Sequence, residues 1–301
     1  MPFIALAVLA LLWGYTWVVM KVGVRYSNPF TFAALRSSLA AVVLLGIVLP
    51  TRRTLRPKPF WLTLLYSIFQ AGFLGFALWA VHLGGAGKTS VLVYTMPFWL
   101  LLTAWPVLGE RVRGAQWVAV ALALAGLVFL LGPWGLGGVA ASVLAVAAGL
   151  SWALASLVFK VVLKKHKPDL ISFSTWQNII AAIPLTIVAL IVDQTGPTWN
   201  GAFIAALLYN VIPGSVVAYL IWLYVLTKLP AGTAGLSALA VPVLGLLAAW
   251  LQLGEQPAAL EGVGMGLILA ALAILTIRGM RENRRVRLKE APSPVLEPGS
   301  D

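Results

Sequence analysis

Aromatic side chains are the residues of this sequence whose types and spacing could build a ligand site. The chain contains 13 Trp, most of them near the ends of apolar stretches, where an interfacial belt is expected. Trp13, Trp17, Trp99 and Trp152 lie deeper and do not fit such a belt. Trp13 and Trp17 share a helix face because they are four residues apart. Together these rings predict a cavity for flat, apolar or amphipathic ligands, with ordinary helix packing as the alternative.

Further polar and aromatic residues extend this predicted cavity. Trp79 and His82 share one face of an apolar stretch, and Ser90 and Tyr94 share a face of the next stretch. Buried amides and hydroxyls in apolar helices usually bond to neighbouring backbone, which is the alternative for the polar members. The predicted substrate-binding residues are Trp13, Trp17, Trp79, His82, Ser90, Tyr94, Trp99, Trp152, Gln177 and Ser237.

Arg36 is the one ionisable residue that falls well inside an apolar stretch. Burying a charge there costs roughly 2.5–3.5 kcal/mol on insertion scales, so such a residue usually has a role. One hypothesis is that Arg36 faces the cavity and binds a carboxylate. The other is that its long side chain reaches back to the membrane surface, since it lies only about one and a half turns into its helix.

Four other charged residues form matched pairs along the chain, Lys21 with Lys160 and Glu110 with Glu255. Each Lys either closes one end of a pathway or anchors its helix by bonding to carbonyl groups at helix ends. Each Glu is interpreted as a structural cap, because a carboxylate stabilises a helix N-terminus.

Enzymatic chemistry is not indicated by this sequence. There is no Cys, and the two His residues, His82 and His166, form no metal-ligand cluster with acids. Gly-x-Ser-x-Gly elbows and phosphate-binding loops are also missing. We therefore expect no enzyme activity, no cofactor and no metal.

The composition predicts an all-α polytopic membrane protein. Hydrophobic residues make up 61% of the chain and charged residues 10%, with a mean hydropathy of +0.96. A soluble domain carries about 25% charged residues. Nucleic acid is not an expected partner despite the net charge of +12, because the basic residues occur in short runs between apolar stretches. Ten stretches are long enough to span a lipid bilayer: 3–20, 30–50, 60–82, 87–108, 115–131, 138–160, 171–192, 200–226, 231–252 and 260–277.

The distribution of Lys and Arg predicts the orientation. With both termini in the cytoplasm, only Lys21, Arg25 and Lys88 lie on the outer side, Arg36 lies within a span, and the rest of the 21 basic residues face the cytoplasm. We expect a multi-pass protein of the inner (plasma) membrane. Residues 280–301 are charged and then Pro-rich, and predict a disordered cytoplasmic tail.

An internal repeat divides the chain. Landmarks recur at matched spacing: Trp13 and Lys21 as Trp152 and Lys160, and Pro97 and Glu110 as Pro242 and Glu255. Each half holds five spans, and an odd number makes the second half enter the membrane from the opposite face. The sequence thus predicts two inverted-topology repeats, residues 1–134 and 135–279, around a central cavity. The spans containing Pro97 and Pro242 are expected to bend there and to line the pathway.

The same landmarks resemble a known family. Leu12-Trp13-Gly14-Tyr15 with Lys21, and the two Pro…Leu-Gly-Glu corners that end at Glu110 and Glu255, resemble the EamA family of the drug/metabolite transporter superfamily. The overall pattern is most similar to the YddG-type aromatic amino-acid exporters. The resemblance implies an exporter of small metabolites, amino acids with aromatic ones favoured, that works by alternating access and as a monomer.

Two alternatives of the same fold stay open at this point. A sugar-phosphate or nucleotide-sugar exchanger would need several cations facing the cavity. A multidrug extruder of aromatic cations would need an acid within the membrane. All nine Asp and Glu residues fall at span ends, in loops or in the tail. We therefore expect transport without proton coupling through a buried carboxylate.

Overall fold

The protein is an all-helical bundle. The computed structural model describes residues 2–51, 59–109, 114–131, 138–228 and 231–290, and within these ranges every element of regular secondary structure is a helix. In chain order the helices are α1 (Pro2–Gly23), α2 (Pro29–Val48), α3 (Phe60–Leu83), α4 (Ala86–Val93), α5 (Met96–Leu108), α6 (Ala115–Leu131), α7 (Gly138–Lys165), α8 (Leu170–Val192), α9 (Gly201–Tyr209), α10 (Ala218–Lys228), α11 (Ala231–Leu253) and α12 (Ala259–Glu290). A π-helical segment, Asn210–Val217, joins α9 to α10.

Ten apolar segments follow the predicted order of spans. Seven are long and apolar enough to cross a membrane, and three shorter apolar helices (Ala7–Gly23, Ala115–Phe129 and Val241–Leu253) occupy the positions of the first, fifth and ninth predicted spans. The all-α membrane fold is therefore confirmed. That all ten segments cross the bilayer stays a prediction.

Two of the described spans are not continuous α-helices: the eighth contains the π-helical segment, and the fourth is divided in two. The fourth consists of α4 and α5, which are separated at Tyr94 and Thr95, with Pro97 in the first turn of α5. Proline lacks an N–H and its ring collides with the carbonyl of the residue four before it, so the helix ends ahead of Pro97 rather than bending at it. The equivalent Pro242 lies inside α11, which is continuous, so no interruption accompanies the second expected bend.

The last helix is longer than the sequence predicts. α12 continues to Glu290, so residues 280–290 are helical and the expectation of disorder from residue 280 is wrong for this stretch. Arg, Leu, Lys and Glu are good helix formers, and they extend a helix that is already nucleated within its span. The end of the predicted tail, residues 291–301, lies outside the described residues.

Contacts at helix ends give the directions of the helices. Lys21, near the end of α1, donates hydrogen bonds to carbonyls at the end of α3. We call this side of the bundle the Lys21 end. Thr31 in the first turn of α2 bonds Asp193, which follows α8, so α8 also finishes at the Lys21 end. The short connection 166–169 joins α7 to α8, and α7 therefore runs opposite to α1.

The packing of the spans is symmetric between the two halves of the chain. α2 packs along α8, and α6 packs along α12. α1 packs against α11 and the α9–α10 span, whereas α7, five spans after α1, packs against α3 and the α4–α5 span. Exchanging each of these spans for its counterpart five spans away leaves the pairs unchanged, as a pseudo-twofold axis through the bundle requires.

The contact between α6 and α12 depends on a glycine. A Cβ atom on Gly126 would lie 2.7 Å from the carbonyl oxygen of Gly264 and 2.8 Å from Cγ1 of Ile268. Both distances are too short for a real contact, so the two backbones approach this closely only because residue 126 has no side chain.

We predict that Gly126→Ala lowers the stability of the bundle by about 1–3 kcal/mol, because the added methyl group overpacks the α6–α12 contact. The melting temperature of the purified protein in detergent measures this. Gly262→Ala on α12 is the matched control, since no atom lies within 4 Å of its Cβ position and alanine favours a helix over glycine. Equal melting temperatures of Gly126→Ala and Gly262→Ala would contradict the close contact between α6 and α12.

Candidate functional site

A small cavity lies in the centre of the bundle, between side chains of both halves. Its volume is about 30 Å³, which is room for one or two water molecules, whereas ligand pockets usually span about 300–1,000 Å³. The structure is therefore a compact state that must open to admit a solute. The lining residues are Trp13, Thr16, Trp17, Met20, Arg36, Phe73, Tyr94, Trp152 and Tyr219.

Two repeat-matched tryptophans form the centre of this wall. The rings of Trp13 on α1 and Trp152 on α7 meet edge to face, with centroids 5.5 Å apart. Trp13 also contacts Tyr219 on α10, with centroids 5.3 Å apart. Trp152 contacts Tyr94 and Phe73, each at 5.3 Å. Such pairs are each worth about 0.5–1.5 kcal/mol beyond the area they bury, so the cluster joins α1 to α7 across the pseudo-twofold axis.

The two tryptophans differ in their hydrogen bonding. The indole N–H of Trp13 donates to the carbonyl of Gly214 at 3.1 Å. This carbonyl lies in the π-helical segment, where the N–H of Ala218 bonds to Pro213 instead of to Gly214. The indole N–H of Trp152 is buried and has no partner among the described residues. Trp152 therefore presents a free donor at the cavity.

Arg36 on α2 lies in the same cavity and does not reach the surface. Its side chain is only 4% exposed. Its Nε donates to the Ser215 hydroxyl at 2.7 Å and its Nη1 donates to Oδ1 of Asn210 at 3.1 Å. Two neutral groups of the π-helical segment thus hold the guanidinium in place. The hypothesis that Arg36 faces the cavity agrees with this geometry, and the surface-seeking alternative does not.

The structure brings four of the predicted binding residues to the cavity: Trp13, Trp17, Tyr94 and Trp152. Ser90 is buried beside it, where its hydroxyl donates to the Gly87 carbonyl at 2.7 Å within α4. A Cβ on Gly245 of α11 would lie 3.0 Å from the Ser90 oxygen, so Ser90 belongs to the close α4–α11 contact.

Other predicted binding residues lie elsewhere. His82 is exposed, and Trp79 packs on Phe30 with centroids 5.4 Å apart. Both lie on α3, but His82 is nine residues after Phe73, which is two and a half turns and therefore the opposite face. Trp99 lines a separate apolar cavity of about 10 Å³ between α5 and α6.

The remaining predicted site residues fall outside the cavity or outside the described side chains. Gln177 is buried on α8, and its Oε1 has no partner among the described residues, but it does not line the cavity. Lys160 lies half-buried near the end of α7. The side chain of Ser237 and the whole of Glu110 lie outside the described residues.

Sequence reasoning missed several residues of the site. Thr16, Met20, Phe73 and Tyr219 line the cavity, and Trp222 contacts both central tryptophans, at 5.8 and 5.9 Å. The signal available in the sequence was the spacing of three between Tyr219 and Trp222, which places both rings on one helix face. Thr16 and Met20 continue the face of α1 that carries Trp13 and Trp17.

The Lys21 end of the bundle is closed by charges. Lys21 donates to the carbonyls of Val81, His82 and Gly84 and so caps α3, as the anchoring alternative describes. Both carboxylate oxygens of Glu255 accept backbone N–H bonds at 3.0 Å from Ala86 and Gly87. Glu255 is therefore a helix cap as expected, but it caps α4 rather than the helix that follows it. The reason is that Gly85 has no side chain to cap α4 itself.

A buried ion pair lies at the same end. Nζ of Lys88 on α4 is 2.6 Å from Oε1 of Glu261 on α12, and the two side chains are 2% and 0% exposed. Glu261 was expected at a span end, and it is there, in the first turn of α12. Its full burial was not foreseen, because only the packing of α12 against α4 and α11 removes it from water.

Comparison with known proteins identifies the family. The model of the EamA-like transporter family matches the chain twice, over residues 1–132 and 139–277. The chain belongs to the EamA-like transporter family. It is thus a membrane transporter and not an enzyme, and its aromatic cavity with a buried Arg36 lies at the centre of a transporter bundle.

Individual relatives agree with this assignment. The chain is 30% identical over 272 residues to the uncharacterized transporter YoaV of Bacillus subtilis, covering 88% of this chain and 90% of the relative. It is 30% identical over 299 residues to a probable amino-acid metabolite efflux pump of Escherichia coli, covering 93% and 97%. It is 25% identical to the E. coli uncharacterized inner membrane transporter YedA, covering 91% and 90%. A solved crystal structure shares the fold, with a TM-score of 0.67 at 20% identity over 92% of this chain and 97% of the other.

We predict that Lys88→Met destabilises the protein by about 3–5 kcal/mol, because it leaves the Glu261 charge buried without a partner. The double variant Lys88→Met/Glu261→Gln removes both charges, and its amide still offers an oxygen to the N–H of Ala258 that Glu261 now binds. It should recover most of the lost melting temperature in detergent. If Lys88→Met has the same melting temperature as the unmodified protein, the pair is not buried.

Proposed function

We propose that this transporter exports small metabolites, amino acids with aromatic ones favoured, across the inner (plasma) membrane by alternating access. The observation that carries the proposal is the pair of repeat-matched tryptophans, Trp13 and Trp152, in edge-to-face contact at the central cavity. The E. coli relative named as a probable amino-acid metabolite efflux pump supports the same substrate class.

The cavity suits a ligand with one flat apolar part and one polar part. Rings from α1, α3, α7 and α10 form the apolar walls, and Arg36 is the polar group opposite them. Aromatic walls favour stacking or edge-to-face contact with an aromatic ligand side chain. A guanidinium binds a carboxylate through charge-assisted hydrogen bonds. An aromatic amino acid presents both groups.

Alternating access follows from the proposed inverted repeats, residues 1–134 and 135–279. The opposite directions of α1 and α7 and the exchange symmetry of the packed spans support this arrangement. A volume of about 30 Å³ is too small for an amino acid, which supports a cycle in which the site must open before a solute enters. Two arrangements related by the pseudo-twofold axis would open opposite sides of the same site, with the interruption between α4 and α5 as one hinge.

We propose that transport is not coupled to protons through a carboxylate. None of the described residues that line the cavity is an acid. Among the described acids, Glu261 is fully buried, but it is paired with Lys88 at the Lys21 end and away from the cavity. Substrate gradients therefore drive the movement.

The charges of the cavity lining also disfavour the two alternative functions, exchange of sugar phosphates or nucleotide sugars and extrusion of aromatic cations. Exchange of sugar phosphates or nucleotide sugars would require several cations, and Arg36 is the only charged residue of the cavity lining within the part of the chain that the structure describes. Extrusion of aromatic cations would require an acid there. The distribution of basic residues supports a placement of both termini in the cytoplasm. The described lining residues all come from one chain, which supports a monomer as the functional unit.

We predict that proteoliposomes containing the protein transport labelled phenylalanine faster than methionine, with sugar phosphate and quaternary amine at background. Trp152→Ala should reduce phenylalanine flux about tenfold or more, since it removes the central ring contacts. Trp199→Ala is the control, because Trp199 is 62% exposed and lies away from the cavity. Background flux of all four solutes would contradict the proposal.

We also predict that phenylalanine flux is unchanged by an imposed pH gradient when the membrane potential is clamped at zero. The cavity lining holds no acid that could carry a proton with the substrate. The measurement compares initial rates with and without the gradient in the same liposomes. A rate that follows the size of the gradient would show proton coupling.

A further inference from the structure

We propose that the central site binds its substrate as a monocarboxylate anion, held by Arg36 and the indole N–H of Trp152, and that it prefers aromatic monocarboxylates without an ammonium group over the amino acids themselves. This rests on the proposed function and names the charge state of the solute that the same site selects. Three features of the described site support it: Arg36 has no carboxylate partner, the indole N–H of Trp152 has no acceptor, and the cavity lining has an excess positive charge.

None of the described side chains balances the charge of Arg36. Its partners Ser215, Asn210 and Met20 are all neutral, and none of the described carboxylates is paired with it. Its bonds run from Nε and Nη1 only, so Nη2 has no hydrogen-bond partner among the described residues. A buried cation without a counter-ion is costly, and a ligand anion supplies what the protein lacks.

Trp152 supplies a second donor to the same cavity. Its indole N–H is buried without a partner in the part of the chain that is described, although the matching N–H of Trp13 is bonded to Gly214. The difference arises because the π-helical segment turns a carbonyl toward Trp13, while α3, the counterpart of that span, is an uninterrupted α-helix. Buried donors are nearly always satisfied in folded proteins, so an acceptor from the ligand is the missing partner.

The charge balance of the cavity decides between anion and zwitterion. Arg36 is the one charged side chain among the described lining residues, which together carry a formal charge of +1. A monocarboxylate neutralises this charge, whereas a zwitterionic amino acid leaves it in place and adds an ammonium group. In this cavity the ammonium group would contact ring faces and hydroxyl groups of the described residues but no carboxylate. The site is thus matched to a net charge of −1 beside an aromatic ring.

Three ligands of one shape test this preference. Phenylpropionate, phenylalanine and phenethylamine share a phenylethyl skeleton and present an anion, a zwitterion and a cation. Calorimetric titration of the full chain in lipid nanodiscs gives their affinities. We expect phenylpropionate to bind about tenfold or more tightly than phenylalanine, and phenethylamine to bind weakest.

Transport currents provide a second readout on the full chain. In proteoliposomes on a solid-supported membrane, phenylpropionate should give a protein-dependent current because the anion carries charge. Passive leakage of the neutral acid gives no current, and protein-free liposomes are the blank. Phenylalanine should give no comparable current, since it moves as a zwitterion.

Substitutions connect the preference to the two donors. Arg36→Gln should remove the preference for phenylpropionate over phenylalanine, and Arg36→Lys should keep most of it. Trp152→Phe retains an aromatic ring but removes the N–H donor together with part of the indole ring system, so it should weaken phenylpropionate binding about tenfold. Its effect on phenylalanine, which meets the same smaller ring, is the reference for the lost ring area. Trp199→Phe removes an exposed indole outside the cavity and should leave all affinities unchanged.

The outcomes separate this inference from the proposed function. Phenylalanine binding as tightly as phenylpropionate, or a preference that survives Arg36→Gln, overturns the charge selectivity and leaves amino-acid transport standing. Absence of binding and flux for all three ligands, in a protein that folds and melts normally, overturns the proposed function itself.

Discussion

The edge-to-face contact between Trp13 and Trp152 is the interaction on which the centre of this bundle depends. Each ring comes from the helix that opens one half of the chain, and these two helices run in opposite directions. Where two oppositely inserted halves meet, equivalent residues face one another across the axis, and a large flat side chain fills the space from both sides. Phe73, Tyr94 and Tyr219 then pack around this pair. The contact between Trp13 and Trp152 therefore also determines where the cavity lies.

The buried charges of this protein lie in two regions, which differ in the partners that the described residues offer to those charges. At the Lys21 end the charges are satisfied: Lys88 pairs with Glu261, and Glu255 and Lys21 bind the ends of helix backbones. The Lys88–Glu261 pair and the bonds of Glu255 hold together helices from both halves. In the centre Arg36 has only neutral partners. A low-dielectric interior makes an unbalanced charge expensive, and this contrast between the two regions is the basis of the proposed ligand binding at the centre.

The fold was largely predictable, and the site only in part. Hydropathy and charge clusters located the apolar segments because a bilayer requires about 20 apolar residues per helix regardless of what they contact. The face of α1 with Trp13 and Trp17 was predictable from their spacing, and the recurrence of Trp13 as Trp152 pointed to the central pair. The same spacing argument also groups Trp79 with His82, whose ring centroids lie 6.0 Å apart, but neither residue lines the cavity. It groups residues on one helix face, but it does not say which way that face turns. Tyr219 was missed although its spacing of three from Trp222 groups the two rings on one helix face, because only the packing of α10 against α1 turns that face toward the cavity.

The sequence by itself determined the class of protein, the order of its apolar segments and the symmetry between its halves, because these depend on composition, length and the parity of spans, which are properties of the chain. Only the tertiary structure decided which donors are satisfied. The carbonyl of Gly214 reaches Trp13 and none of the described carbonyls reaches Trp152, and the same distinction separates paired Lys88 from unpaired Arg36. Hydrogen bonds and ion pairs act over about 3 Å, and residues 201 positions apart in the chain come within that range only after the helices have packed.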